Sequence, residues 1–400
     1  MKREHFILIV ILLILTGCGG SKRPFNESEG IITIDVSINY PPKELMLQDF
    51  MDVEYIALET NDDFLCQGIV LAVGRDVMIV RNQINDGDLF IFDRNGKALH
   101  KFNRKGQGGE EYTGIPGITL DEDNGEIYAS TNNKMLVYNF FGNFKRSFLY
   151  PDGSMYGNFR NFDSENLICH DLSFGNEGVT DKSPFVILSK LDGSITKDIQ
   201  IVNQYKMPEL VKVNHNGMIL TGYGSVSSPV PLIPYQGAWI LSVYSSDTVF
   251  KYMTDHGMIP FMIRTPSVET PKSDSYFAPV LLTGRYYFLQ TQKKEPEARG
   301  TTLDDAVLFY PKTYLVYDRQ EKAIFEYKVF NNDYANKITV NFMEQRTGHE
   351  EIAFWQKIEA YQLKEDYENG QLKGSKLKEI AAKLDAEDNP VIMLVKHKKI

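Results

Sequence analysis

The stretch NRKGQGGEEYTG, residues 103–114, sets Gly106, Gly108 and Gly109 between two bases, Arg104 and Lys105, and two carboxylates, Glu110 and Glu111. Glycines beside a lysine raise the chemistry of phosphate binding. A phosphate loop needs the order G-x-x-x-x-G-K-[ST], so that backbone N–H groups wrap the anion and lysine and hydroxyl complete the site. Here the glycines run into two carboxylates, which repel a phosphate. A dinucleotide fingerprint would need a glycine where Glu111 stands, followed by a helix. Two readings remain: a turn carrying the chain from one strand to the next, or a ligand surface made by Arg104, Lys105, Gln107 and Glu111.

The remaining chemistry is thin. DEDNGE, residues 121–126, begins like a calcium loop, but that frame requires a ligand where Gly125 stands and a distal glutamate that is missing. A hairpin turn is expected instead. The seven histidines include no HExxH and no i, i+4 pair, and His349, Glu350 and Glu351 read as a solvated helix start rather than a ligand set. There is no GxSxG elbow to nominate a nucleophile. No catalytic, metal or cofactor residue is therefore assigned. Cys66 and Cys169 sit in apolar text without CxxC spacing, and free, buried thiols on separate strands are expected. A net charge of −10 with no basic stripe excludes nucleic acid as a partner.

The segments that must carry any site begin after a leader. Lys2 and Arg3 precede an apolar run, Phe6 to Leu15, and then LTGC ending at Cys18. The run is shorter than the roughly 20 apolar residues that span a bilayer. It resembles a bacterial lipoprotein signal, which implies removal of residues 1–17, lipidation of Cys18 and a flexible polar tether over residues 18–29. Gly19 in place of aspartate implies the outer membrane, and the basic Lys22 and Arg23 imply its periplasmic face rather than the cell surface.

Five stretches then read as one hairpin repeated: LFIFDRNGKALHKF (89–102), MLVYNFFGNFKRSF (135–148), FVILSKLDGSITKDI (185–199), ILSVYSSDTVFKYM (240–253) and TYLVYDRQEKAIFEY (313–327). In the first three, Gly96, Gly142 and Gly193 supply the positive φ of a tight turn. A second strand pair precedes each: residues 69–81, 118–131, 159–172, 210–223 and 280–292. Units recurring near the ~40–50 residues of a propeller blade predict four-stranded antiparallel blades. GIITIDVSI (30–38) and NPVIMLVKHK (389–398) lack local partners. Pairing them predicts a sixth blade that closes the ring and removes its exposed edge.

Near the end the period changes. Leu377, Ile380, Ala381 and Leu384 predict a helix over 375–386 with Ser375 as cap, and Ile352, Trp355, Ile358 and Tyr361 predict another over 350–367. Both are expected to pack on the propeller rim.

FDRNGKALHKFNRKGQGGEEY (92–112), SSDTVFKY (245–252), the LET ending at Thr60 and DNPVIMLVKHK (388–398) resemble exported six-bladed β-propeller proteins related to NHL repeats, many of them lipoproteins of unassigned function. Gly109 departs from that family's loop, where proline is usual. The resemblance implies an all-β propeller over 30–400 with a helical insertion near 350–386. It places the 103–114 loop near the mouth of a central channel. The function expected is binding or scaffolding of a glycan, peptide or envelope protein. The alternative is an envelope hydrolase or lyase working at that mouth, which convergent carboxylates or histidines would favour and an apolar or aromatic bowl would not.

Overall fold

The computed structural model describes residues 30–398 apart from 84–85, 152–153, 175–181, 209, 224–227, 301–304 and 343–350. Cys18 and the leader lie outside the described residues. Residues 32–398 form a six-bladed β-propeller. Blade 1 has strands Ile69–Val73, Val77–Arg81, Asp88–Asp93 and Ala98–Asn103. Blade 2 has Gly117–Asp121, Glu126–Ser130, Lys134–Asn139 and Phe144–Leu149. Blade 3 has Tyr156–Asn161, Asn166–Asp171, Phe185–Ser189 and Ile195–Ile199. Each is an antiparallel meander numbered outward from the axis.

The blades stack through their faces, and the sequence shows why. In blade 1, Val77 and Ile79 pack against blade 2 while Met78 and Val80 pack against blade 6. A strand buried on both faces must be apolar at every position, so the middle strands read as runs such as VMIV and LFIF. The outer strands have one free face and alternate, as in ALHKFN. Six apolar layers result among the described residues, one for each blade interface.

The hairpin glycines serve this stacking as well as the turn. Gly142 and Gly193 both have φ of 74°. A Cβ on Gly142 would strike the Phe102 ring of the preceding blade, and one on Gly193 the Phe148 ring. The hairpin of one blade thus lies directly on the outer strand of its neighbour.

Blade 4 departs from expectation. Its strands are Leu232–Tyr235, Ala238–Leu241, Thr248–Met253 and Met258–Thr265. The 210–223 pair is a separate hairpin, Leu210–His215 with Met218–Tyr223, packed on a second inserted hairpin, Glu297–Arg299 with Val307–Phe309; His215 Nε2 lies 2.8 Å from the Gly300 carbonyl oxygen. Length misled the sequence reading here. The true inner strands have only four residues each, the first carries Pro234, and they turn through Gln236 and Gly237, both at positive φ.

Blade 5 comprises Ser275–Leu282, Tyr286–Lys293, Lys312–Asp318 and Ala323–Asn331. Blade 6 has three described strands, Ile352–Ile358, Val391–His397 and Met51–Ala57. The ring closes through the chain ends, but the partner differs from the one expected. Val391–His397 pairs along its whole length with Met51–Ala57. Residues 32–35 instead add in parallel to the outer edge of blade 4, and Pro42–Met46 adds in parallel to blade 5. The 30–38 segment is a poor closing strand because the Asp35 carboxylate accepts from Ser37 N–H at 2.9 Å and ends it after four residues.

The helices are also corrected. Ile352–Ile358 is a strand, its pairing with Val391–His397 overriding the helical spacing of its apolar residues, and only Ala360–Glu368 is helical in that region. The second helix is Ser375–Ala381, with Gly374 rather than Ser375 at its N-cap. Both helices join the apolar layer between blades 5 and 6 through Leu363, Leu377 and Ala381.

Cys66 and Cys169 are free and buried. Cys169 is on a strand of blade 3, whereas Cys66 lies in the segment leading into blade 1. Burial pushes the Cys66 thiol up to about 11 and the Cys169 thiol well above its usual range. Since the thiolate is the reactive form, both should label slowly with a thiol reagent at pH 7.5 until denaturant is added. Fast native labelling would contradict their burial.

Candidate functional site

The six innermost strands meet around the axis and fill it unequally. Between blades 4, 5 and 6, side chains such as Ile233, Leu281, Leu282 and Phe342 leave about 20 Å³, room for a single water. Between blades 1, 2, 3 and 6 they leave a cavity of about 400 Å³. That volume falls within the range of small-molecule sites.

Backbone irregularities shape this cavity. The inner strand of blade 1 bulges between Val70 and Ala72, and that of blade 3 bulges between Gly157 and Arg160. Asn158, inside the second bulge, holds a left-handed φ of 54°. Asparagine tolerates that conformation better than most residues, and a bulge re-aims the side chain it carries.

The lining combines apolar and aromatic surface with donors. Ile69, Leu71, Tyr156, Phe159 and Trp355 supply the first. The hydroxyls are already engaged: Thr119 Oγ1 donates to the Phe159 carbonyl at 3.0 Å, Thr131 Oγ1 to the Lys134 carbonyl at 2.9 Å, and Ser130 pairs with the Tyr150 hydroxyl at 3.1 Å. Burial raises the Tyr156 hydroxyl above its ordinary range, so it stays neutral. The side-chain amides of Asn132 and Asn158 and the indole N–H of Trp355 make no hydrogen bond among the described residues. Among the described residues the charged side chains of the lining are Arg81 and Arg160; Arg160 is buried and its Nη1 donates to the Phe159 carbonyl at 2.8 Å.

The 103–114 stretch borders this cavity. It connects blade 1 to blade 2, as the turn reading expected, and it is firmly pinned. Tyr112 is buried and donates its hydroxyl to the Gly87 carbonyl at 2.7 Å. Tyr138 donates to the Glu110 carbonyl at 2.7 Å and Lys134 Nζ to the Gly109 carbonyl at 3.0 Å. None of Gly106, Gly108 and Gly109 has a positive φ. With the turn at 131–134, the loop walls a groove of about 470 Å³ that shares Pro116, Thr131 and Asn132 with the cavity.

Of the four residues read from sequence as a ligand surface, Gln107 and Glu111 line this groove. Arg104 turns to the next blade, its Nε donating to the Gly142 carbonyl at 2.8 Å, and Lys105 bridges to Tyr112 at the base of the loop. Asn158, Arg160 and Trp355 were not anticipated. The apolar spacing around Trp355 predicts a helix, and IAFWQKI, rich in β-branched and aromatic residues, is the signal that points to a strand. Replacing the exposed Lys105 and Gln107 together with alanine should shift stability by no more than about 0.5 kcal/mol, as for exposed sites generally, whereas Glu111 is half-buried and its Oε2 accepts from Gly108 N–H at 2.8 Å. A larger drop in melting temperature would make Lys105 and Gln107 part of the scaffold.

The 121–126 stretch is a hairpin turn, with Gly125 at a positive φ of 62°. Among the described residues no group of three histidines, cysteines or carboxylates is placed to hold a metal ion.

The family model described as a domain of unknown function, DUF4934, matches residues 30–396. The chain belongs to the DUF4934 family. The propeller fold agrees with the resemblance carried by the FDRNGK and LVKHK segments. An exported protein from Bacteroides fragilis is 16% identical, with a TM-score of 0.57 over 92% of this DUF4934 chain and 100% of that one. A DUF4221 member from Bacteroides vulgatus is 8% identical, with a TM-score of 0.45 over 88% and 100%. Virginiamycin B lyase from Staphylococcus aureus is 11% identical, with a TM-score of 0.36 over 87% and 100%. Likeness at such identities is a likeness of fold alone. No curated protein matches the chain.

Proposed function

We propose that this DUF4934 protein is an envelope binding module that captures a small or chain-like polar ligand in the cavity between blades 1, 2, 3 and 6. The observation that carries the reading is the makeup of the lining. Aromatic and aliphatic walls with amide, indole and guanidinium donors recognise a ligand, whereas acid–base catalysis needs a carboxylate or imidazole within reach of the reacting atoms.

The envelope address rests on the lipoprotein-like leader and on the exported relative. Among the described residues no helix is long and apolar enough to cross a membrane. Acyl chains on Cys18 would anchor the protein, two or more being needed for stable attachment. Cys18→Ser should move it from the membrane to the soluble fraction. Fatty-acid labelling that survives the substitution would contradict the anchor.

Binding is tested by calorimetry against a panel of neutral oligosaccharides, acidic oligosaccharides and short peptides, with Leu71→Trp as a cavity-filling control. One class should bind at one site per chain and lose at least tenfold in affinity in the Leu71→Trp protein. Binding untouched by that substitution, or turnover of a panel member, would overturn the reading.

A further inference from the structure

The polar groups that the cavity leaves open specify the ligand further. Among the described residues Arg81 and Arg160 are the charged side chains of the lining, and each is already engaged by the protein itself. The hydroxyls of Thr119, Ser130 and Thr131 are engaged too. The carboxamides of Asn132 and Asn158 and the indole N–H of Trp355 have no partner among the described residues, and all three groups are uncharged. A charged ligand placed against them would give up its hydration without gaining a counter-ion, which is costly.

These three groups suit sugar hydroxyls. A carboxamide holds a donor and an acceptor side by side, so one ring hydroxyl can donate to Oδ1 while its neighbour accepts from Nδ2. Asn158 owes its position to the backbone, at a φ of 54° inside the bulge of blade 3, and Asn132, from blade 2, is exposed. Trp355 is only 8% exposed. Buried indoles ordinarily find a partner for the N–H, and a ligand hydroxyl supplies the one missing here. Its ring, with those of Tyr156 and Phe159, gives flat apolar surface for the C–H face of a sugar. At about 400 Å³ the cavity lies at the low end of the ~300–1,000 Å³ of small-molecule sites, which suits a ligand of one or two rings.

Resting on the binding reading above, we propose that the cavity is a site for a neutral sugar, one or two pyranose rings stacked on its aromatic wall and hydrogen-bonded by Asn132, Asn158 and Trp355.

The test is calorimetry with the methyl glycosides of glucose, galactose and mannose, each beside the methyl glycoside of the matching uronic acid, and with adenosine and a capped dipeptide. At least one neutral glycoside should bind at one site per chain, at least tenfold more tightly than its uronic acid twin, and equally at low and high salt. Asn158→Gly removes the carboxamide and keeps a residue that accepts the left-handed backbone, so this variant should fold and lose at least tenfold in affinity. Trp355→Phe keeps a ring, loses the N–H and should weaken binding as well. Should it fail to fold, Asn158→Gly decides the point.

A uronic acid that binds as tightly as its neutral twin, or binding of adenosine or the dipeptide alone, would overturn the neutral sugar and leave the binding reading standing. Glycoside affinity unchanged in Asn158→Gly would overturn the placement. Binding of none of these probes would overturn this inference, while the wider panel judges the binding reading separately.

Discussion

Deletion of residues 389–400 should abolish the folded state rather than fray one end. The segment contains Val391–His397, the strand between Ile352–Ile358 and Met51–Ala57, so its loss leaves both neighbours unpaired and opens the ring. Asn389 goes with it. This side chain is buried and ties the chain ends together: its Oδ1 accepts from Cys66 N–H at 2.8 Å, and its Nδ2 donates to the carbonyls of Glu59 and Phe64. Each buried group left unpaired costs about 1–3 kcal/mol, and the apolar layers on either side of blade 6 are exposed as well. The expected product is insoluble, or is digested by protease at concentrations that spare the intact chain. A truncated protein with the melting curve of the full chain would show that the ring does not depend on this closure.

The second large effect lies between blades 2 and 3. Lys190 is buried and its Nζ donates to Asp121 Oδ2 at 2.7 Å and to the Asp163 carbonyl at 2.8 Å. Beside it, Arg146 grips Glu126 through two bonds of 2.8 Å and also reaches the Lys190 carbonyl. Lys190→Ala leaves the Asp121 carboxylate buried without its cation. Breaking a buried pair from one side costs about 3–5 kcal/mol, whereas replacing both partners by apolar residues is often neutral. Urea unfolding should therefore show a loss of that size for Lys190→Ala and a much smaller one for the double replacement Lys190→Met with Asp121→Leu. Similar losses in the two proteins would contradict the pairing.

The same network fixes a pH dependence. Burial by itself would raise the Glu126 carboxyl, but Arg146, Lys145 and Tyr128 outweigh it and hold the group down to about 2. A carboxyl depressed in the folded state stabilises fully above its ordinary value of 4.5, and that contribution is lost as pH falls toward about 2. The stability advantage of the native protein over Glu126→Gln should accordingly be constant above pH 5 and shrink below it.

The blades were legible because burial on both faces writes itself into the sequence. Runs such as VMIV, LFIF and MLVY, followed by a glycine turn and an alternating strand, have no other economical reading, and four of the five repeated hairpins sit in blades whose inner strand pair was also read correctly. Closure and blade 4 were harder for a physical reason. Strand signals at 30–38, 51–57 and 210–223 are similar in kind, and only contacts far apart in sequence decide which one joins which edge. IAFWQKI shows the same limit, since its apolar spacing suits a helix and the strand Val391–His397 decides otherwise. The glycines of the 103–114 loop mark the connection from blade 1 to blade 2, which borders the cavity. The cavity itself was not legible, because Leu71, Asn132, Asn158, Arg160 and Trp355 come from four blades and carry no common motif.

The central claim, that a ligand seats in the open half of the channel, can be tested with one fluorophore. The chain has two tryptophans; Trp355 lines the cavity, while Trp239 is buried between blades 3 and 4. In the Trp239→Phe protein, titration with the panel of oligosaccharides and peptides should change the Trp355 emission saturably, with the same midpoint that calorimetry gives. Binding seen by calorimetry with the Trp355 emission unmoved would place the ligand elsewhere and contradict the account.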